Sequence, residues 1–123
     1  MFNAPIARID ADYPLNFTGQ GKAVSDARAQ ALPQIRVEAI DIASVRRVFL
    51  VSPTWMFRPA TPLWAYVEQA QLRGKEVMLV TTGNSRFEQS ETDAFARRVE
   101  SRGGRLIHHV FLRRAPHLLA EEP

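Results

Sequence analysis

The sequence predicts a three-layer α/β fold built on an open parallel sheet, and three observations predict it. Two short apolar runs, residues 48–51 and 77–80, show no polar alternation, the pattern of central parallel strands covered on both faces. The 25 residues between the runs are enough for a crossover helix. A second helical stretch and a third apolar strand follow, so the order from residue 46 is β-α-β-α-β, which right-handed crossovers close into an open layer.

Each element has its own local reason. At the N-terminus, Ile6 to Ile9 reads as a short strand and Gly19-Gln20-Gly21 as a loop. Lys22 to Leu32 forms a helix with Val24, Ala27, Ala31 and Leu32 inward, stopped at Pro33. Residues 34–45 read as an irregular connection to the first apolar run, Val48 to Val51. The crossover helix starts with Thr61 as N-cap and Pro62 at the first helical position. Leu63, Trp64, Val67 and Ala70 recur at helical spacing, Leu72 lies near the end, and Gly74 supplies the stop. Lys75 opens the next strand. Ser90-Glu91-Thr92-Asp93 resembles a capping box with acids in the first turn. Phe95 and Val99 share one face of that helix, flanked by Ala94 and Ala96, and Gly103-Gly104 ends it. Leu106, Ile107, Val110, Phe111 and Leu112 make the last strand. Residues 1–115 are read as one domain and 116–123 as a C-terminal tail, with no internal repeat.

Composition narrows the function classes. At 123 residues the chain is one domain with a core of useful size. With no cysteine, disulfides, thiolate metal sites and thiol nucleophiles are excluded. Hydrophobic residues at 46% and charged residues at 24% are those of an ordinary folded domain rather than a disordered one. No apolar run approaches the roughly 20 residues that span a bilayer, and no secretory signal opens the chain, so the expected compartment is the cytoplasm, with no membrane partner. The net charge of +3 comes from 16 basic and 13 acidic residues. Arg97, Arg98, Arg102, Arg105, Arg113 and Arg114 enrich the C-terminal part, but no nucleic-acid motif accompanies them, so they read as a solvated helix face and strand end. His108 and His109 are adjacent in a strand and point to opposite faces, which rules out one shared metal. No nucleophile elbow is present, and Ser52 has no evident base partner. A phosphorylation receiver, which shares this layout, needs an aspartate where Ser52 stands.

In an open parallel sheet, ligands bind beyond the carboxyl ends of the strands. Two loops leave those ends. The first, residues 52–60, sets Trp55 and Phe57 between Pro53 and Pro59, offering flat faces on a stiff backbone. The plain alternative is that both aromatics fold back onto the core. The second, Thr81-Thr82-Gly83-Asn84-Ser85-Arg86-Phe87, is rich in small polar groups, and Gly83-Asn84 permits positive φ and close backbone approach.

Together, Val48 to Trp55, Pro59 to Trp64, Gly74-Lys75, Thr81-Thr82-Gly83 and Gly103-Gly104 resemble the flavodoxin-like family over residues 46–112. Tyr13, Gly21, Ala23 and Asp26 to Pro33 resemble the link after that family's second strand. The resemblance implies non-covalent binding of flavin mononucleotide (FMN) and electron transfer, to a redox partner protein or from NAD(P)H. It implies that Ser52, Pro53, Thr54, Trp55 and Phe57 border one side of the isoalloxazine ring and Thr82, Gly83, Asn84 and Phe87 the other. Arg58 is then placed to stabilise a reduced, anionic flavin.

The sequence departs from the family in its opening. Flavodoxins begin with a strand and a Ser/Thr/Gly-rich loop that cradles the FMN phosphate at a helix N-terminus. Thr18-Gly19-Gln20-Gly21-Lys22 is the nearest counterpart, with no apolar strand before it. If Ile6 to Ile9 is the family's second strand, the first β-α unit is missing and one edge of residues 48–51 is open, to be covered by a homodimer or a partner chain. The alternative function is therefore an assembly or interaction module of the same fold that does not bind flavin on its own.

Overall fold

The computed structural model describes residues 6–11, 32–38 and 41–113. Its centre is the expected pair of parallel crossovers. Strand β3 (Arg47–Trp55) leads through helix α1 (Thr61–Gln69) to β5 (Glu76–Gly83), then through helix α2 (Gln89–Ser101) to β6 (Arg105–Arg113). The strands β3, β5 and β6 are parallel, and a two-residue strand β4 (Arg58–Pro59) turns back antiparallel on the end of β3. The sheet order is β4-β3-β5-β6.

Both helices pack on one sheet face. Their Leu63, Trp64, Val67, Phe95 and Val99 meet Leu50, Val77 and Leu79 in one apolar cluster. Trp64 and Phe95 touch edge to face at 5.0 Å, and the indole N–H donates to the Pro59 carbonyl at 2.9 Å. A buried indole needs such an acceptor, and Pro59 provides one where the chain enters α1.

The apolar runs are not buried on two faces. Along β3 the residues alternate, with Leu50 and Ser52 buried and Phe49 and Val51 exposed. A run of four apolar residues does not say how many faces are covered; the helices that cover them decide it. Among the described residues α1 and α2 form a layer on one face only. The expected helix at Lys22 to Leu32, the tail at 116–123 and the Thr18–Lys22 loop lie outside the described residues, apart from Leu32 itself.

The N-terminal expectations change most. Strand β1 (Ile9–Ala11) pairs antiparallel with β2 (Ile35–Val37), and the two form their own small sheet. The segment read as irregular therefore contains a strand, and the first strand is not a member of the main sheet. Three-residue strands fall below the length at which alternation is readable.

Helix boundaries also moved. Ala60, not Thr61, is the N-cap of α1, and no side chain caps it. Pro62 in the first turn has no N–H to satisfy, and the Ala60 N–H is taken by the Ser52 hydroxyl at 3.0 Å. The helix stops at Gln69 rather than near Gly74, because the extended Ala70 lets Leu72 turn fully into the core. Lys75 is buried just before β5, with its ammonium donating to the carbonyls of Ile42 (2.5 Å) and Val45 (2.6 Å). Gly103 has φ +90, and a Cβ there would lie 2.9 Å from the Arg73 Cα. The turn after α2 can thus lie directly on the turn before β5 only with glycine.

Candidate functional site

The two loops meet at the carboxyl ends of β3 and β5. Pro53 stands opposite Thr82 in the parallel register, and the Thr54 hydroxyl donates to the Thr82 carbonyl at 3.1 Å. Trp55 pairs with Arg58, which leaves Met56 and Phe57 as a two-residue hairpin loop. Both have positive φ, 54 and 67. A type I′ hairpin demands this of its central residues and normally fills them with Asn and Gly. Two bulky residues in the left-handed region cost stability, and the sequence holds them there nonetheless.

The second loop latches onto this hairpin. The Arg86 guanidinium lies 4.2 Å from the Phe57 ring centre and pairs with Glu88. The Glu88 backbone N–H donates to the Phe57 carbonyl at 2.8 Å. Phe87 contacts His109 at 4.7 Å and Phe111 at 5.1 Å, which fixes the loop base on β6. Trp55, Phe57 and Phe87 are half-buried, while Pro53, Thr82 and Asn84 face solvent. The result is one continuous aromatic and polar rim.

Several expected site residues are occupied behind the rim. Ser52 is buried, accepting from Ala60 and donating to the Pro53 carbonyl at 2.6 Å. Arg58 is buried too. Its Nε donates to Glu91 at 2.7 Å, and its guanidinium lies 4.4 Å from the Trp64 ring centre. This also explains why Ser90 to Asp93 is not a capping box: Glu88 is the N-cap without a side-chain bond, and Glu91 serves a buried cation instead of an exposed amide. Gly83 does not use positive φ. Its missing side chain admits the Thr54 hydroxyl and the Phe111 ring, which would lie 2.5 and 3.1 Å from a Cβ.

Arg86 and Glu88 were not among the expected site residues. The spacing from Phe57 to Arg86 gives no local signal, because the contact crosses two loops. A cleft of about 350 Å³ lies behind β4, lined by Arg58, Trp64, Glu91 and Arg97 among others. His109 sits beneath the rim, its ring nitrogens 2.8 Å from the Thr81 hydroxyl and 3.4 Å from that of Thr92. Burial, and secondarily the neighbouring His108, lowers its pKa below the usual histidine value. No group of metal-ligating side chains occurs among the described residues.

The rim sets aromatic side chains on one loop beside small polar residues on the other. The phosphate end has no counterpart among the described residues, since neither α1 nor α2 opens from a glycine-rich loop. No family model matches the chain, and no curated protein matches it. Two solved structures are similar in fold. A flavoprotein from Lactobacillus acidophilus NCFM, in complex with FMN, aligns over 85% of this chain and 72% of its own, with TM-score 0.69 and 18% identity. A candidate flavoprotein from Bacteroides eggerthii DSM 20697 aligns over 85% of this chain and 63% of its own, with TM-score 0.61 and 16% identity.

The fold is flavodoxin-like.

In an open α/β sheet, ligands are received beyond the carboxyl ends of the strands, and β3 and β5 end side by side on this side of the sheet. The hairpin, with the latch that holds it, stands at that position. No helix among the described residues is long and apolar enough to cross a membrane.

Proposed function

We propose that this chain is an FMN-binding flavoprotein that serves electron transfer or NAD(P)H-linked reduction. The observation that carries the reading is the rim: two loops at the carboxyl ends of adjacent parallel strands, joined by Thr54–Thr82, Phe57–Arg86 and Phe57–Glu88 contacts. The fold it shares with a flavoprotein solved with FMN supports the choice of ligand. In this reading Pro53, Thr54, Trp55 and Phe57 border one side of the isoalloxazine and Thr82, Gly83, Asn84 and Phe87 the other. Ser52 and Arg58 act behind them, one holding the entry to α1 and the other the base of the hairpin. Bound FMN supplies the acceptance and release of electrons; the chain binds the ring, stacks on it and shields it from water. Arg86, rather than Arg58, is the cation at the rim surface.

The test is a titration of the purified chain into FMN, read by flavin fluorescence. Saturable quenching is expected, and Trp55→Ala weakens it about fivefold, the size of one stacking contact. A folded chain that does not quench refutes the reading. A second reading, an assembly module of the same fold without flavin, is favoured by the lack of a phosphate cradle among the described residues. It requires a stable complex with another chain and no affinity for FMN.

A further inference from the structure

Two ion pairs frame a cleft that the flavin reading does not use. Arg58 on β4 donates through Nε to Glu91, in the first turn of α2, at 2.7 Å. Farther along α2, Arg98 pairs with Glu68 of α1 at 2.6 Å. The cleft of about 350 Å³ has Trp64 and Ala94 as its apolar walls, and the exposed Arg97 also lines it. Glu91, Ala94 and Arg98 follow at intervals of three and four residues, so they share one face of α2.

Arg58 is the unusual wall. Its side chain is only 7% exposed, and its guanidinium lies 4.4 Å from the Trp64 ring centre. The bond to Glu91 is the guanidinium's one hydrogen bond among the described residues, and it leaves Nη1 and Nη2 without an acceptor there. No buried side-chain nitrogen among the described residues lacks a partner, so these two groups border open space. The open space that Arg58 lines is the cleft. Glu91 and Trp64 thus fix a planar fork whose outer N–H groups can donate to both oxygens of a carboxylate. A fork held in advance loses little freedom when it binds.

Charge selects the ligand. The lining cations are Arg58, Arg97 and Arg98, and Glu91 and Glu68 pair with the first and the last. Asp93, one turn before Arg97, accepts from Gln89 at 2.9 Å. Among the lining residues and their ion-pair partners one positive charge is left over. It matches a single carboxylate, whereas a phosphate dianion would be repelled by Glu91.

We propose that the cleft binds a small organic monocarboxylate with an apolar body. The carboxylate sits on the Arg58 fork with Arg97 near it, and the body lies against Trp64 and Ala94. The proposal does not depend on flavin binding. Residues 12–31 and 114–123 lie outside the described residues and carry Asp12, Asp26, Glu121 and Glu122, which are rival occupants of the fork. A chain segment seated in the cleft would cover its mouth, but Glu91 is 25% exposed and Arg97 faces solvent.

The test is a titration of the full, nitrogen-15-labelled chain with benzoate at constant ionic strength, followed by proton–nitrogen NMR. Saturable shifts of the Arg58 Nε–H and Trp64 indole N–H signals are expected. Benzamide, which has the same shape without the charge, and inorganic phosphate are the controls and should bind more weakly. Arg58→Lys keeps the charge but loses the fork, and should weaken benzoate about tenfold, the size of one charged hydrogen bond. Arg97→Gln on the surface should weaken it about threefold. If Arg58→Lys does not fold, Arg97→Glu replaces it and should weaken benzoate more than Arg97→Gln does. No saturable shift in the wild-type chain overturns the proposal, as do equal binding of benzamide, tighter binding of phosphate, or unchanged affinity in the folded variants. Shifts that appear only in Glu121→Gln/Glu122→Gln, or only in Asp12→Asn/Asp26→Asn, assign the fork to the chain's own carboxylates and overturn it as well.

Discussion

Substituting Gly83 with alanine tests how the rim is built. A Cβ at this position would lie 2.5 Å from the Thr54 hydroxyl and 3.1 and 3.2 Å from two Phe111 ring atoms. The first distance is impossible, so Thr54 must rotate and give up its 3.1 Å bond to the Thr82 carbonyl. That loss costs about 1 kcal/mol. The Phe111 ring must also retreat by a few tenths of an ångström against Phe87, at about 0.5–1 kcal/mol for mild overpacking. Gly83→Ala is therefore expected to destabilise the fold by about 1.5–2 kcal/mol, a drop of roughly 5–10 °C in Tm for a domain of this size. The first contribution vanishes when Thr54 is already alanine. In a double-mutant cycle by urea denaturation, Gly83→Ala on the Thr54→Ala background should cost only about 0.5–1 kcal/mol, a coupling of about 1 kcal/mol. A coupling within about 0.3 kcal/mol of zero refutes the argument that Gly83 is kept for the Thr54 hydroxyl.

Four further expectations follow from single contacts. His109 has a lowered pKa when folded, so the unfolded chain binds a proton more readily; stability rises with pH between that lowered value and about 6.5, then levels. Thermal midpoints measured from pH 5 to pH 7.5 should show this slope in the native chain and lose it in His109→Gln. Glu91→Gln leaves the buried Arg58 guanidinium without its carboxylate and should cost about 2 kcal/mol, less than a fully buried pair because Glu91 is 25% exposed; chemical denaturation measures it. Lys75→Met removes two charge-assisted bonds to the Ile42 and Val45 carbonyls, and hydrogen exchange over residues 41–46 should quicken with a stability loss of about 1–3 kcal/mol. Met56→Asn relieves a left-handed backbone at a position already 40% exposed and should raise stability by about 0.5–1 kcal/mol in the same denaturation assay.

The β-α-β-α-β order and the two loops at one end of the sheet were legible because they rest on local chemistry. Apolar runs of strand length, Pro62 at a helix start and Gly103-Gly104 after a helix each act within a few residues. What failed was legible only across distance. Glu91 looks like a helix cap until Arg58, far away in sequence, is seen buried beside it. Arg58 looks like a ring-facing cation until Trp64 and Glu91 are seen to hold it. Gly83 looks like a flexible turn until Thr54 and Phe111 fill its space.

From residue 46 on, the sequence by itself determined the order of the three long strands and two helices, and therefore which ends of those strands carry the aromatic and polar loops. Hydrophobic period and turn chemistry are properties of neighbouring residues, and they survive without knowledge of the partner. Only the tertiary structure decided which sheet face α1 and α2 cover and which cations are neutralised, Arg58 by Glu91 and Arg47 by Glu76. Burial and Coulomb energy depend on separation in space, and the closeness of residues 47, 76 and 105 exists only once the parallel strands have aligned their ends.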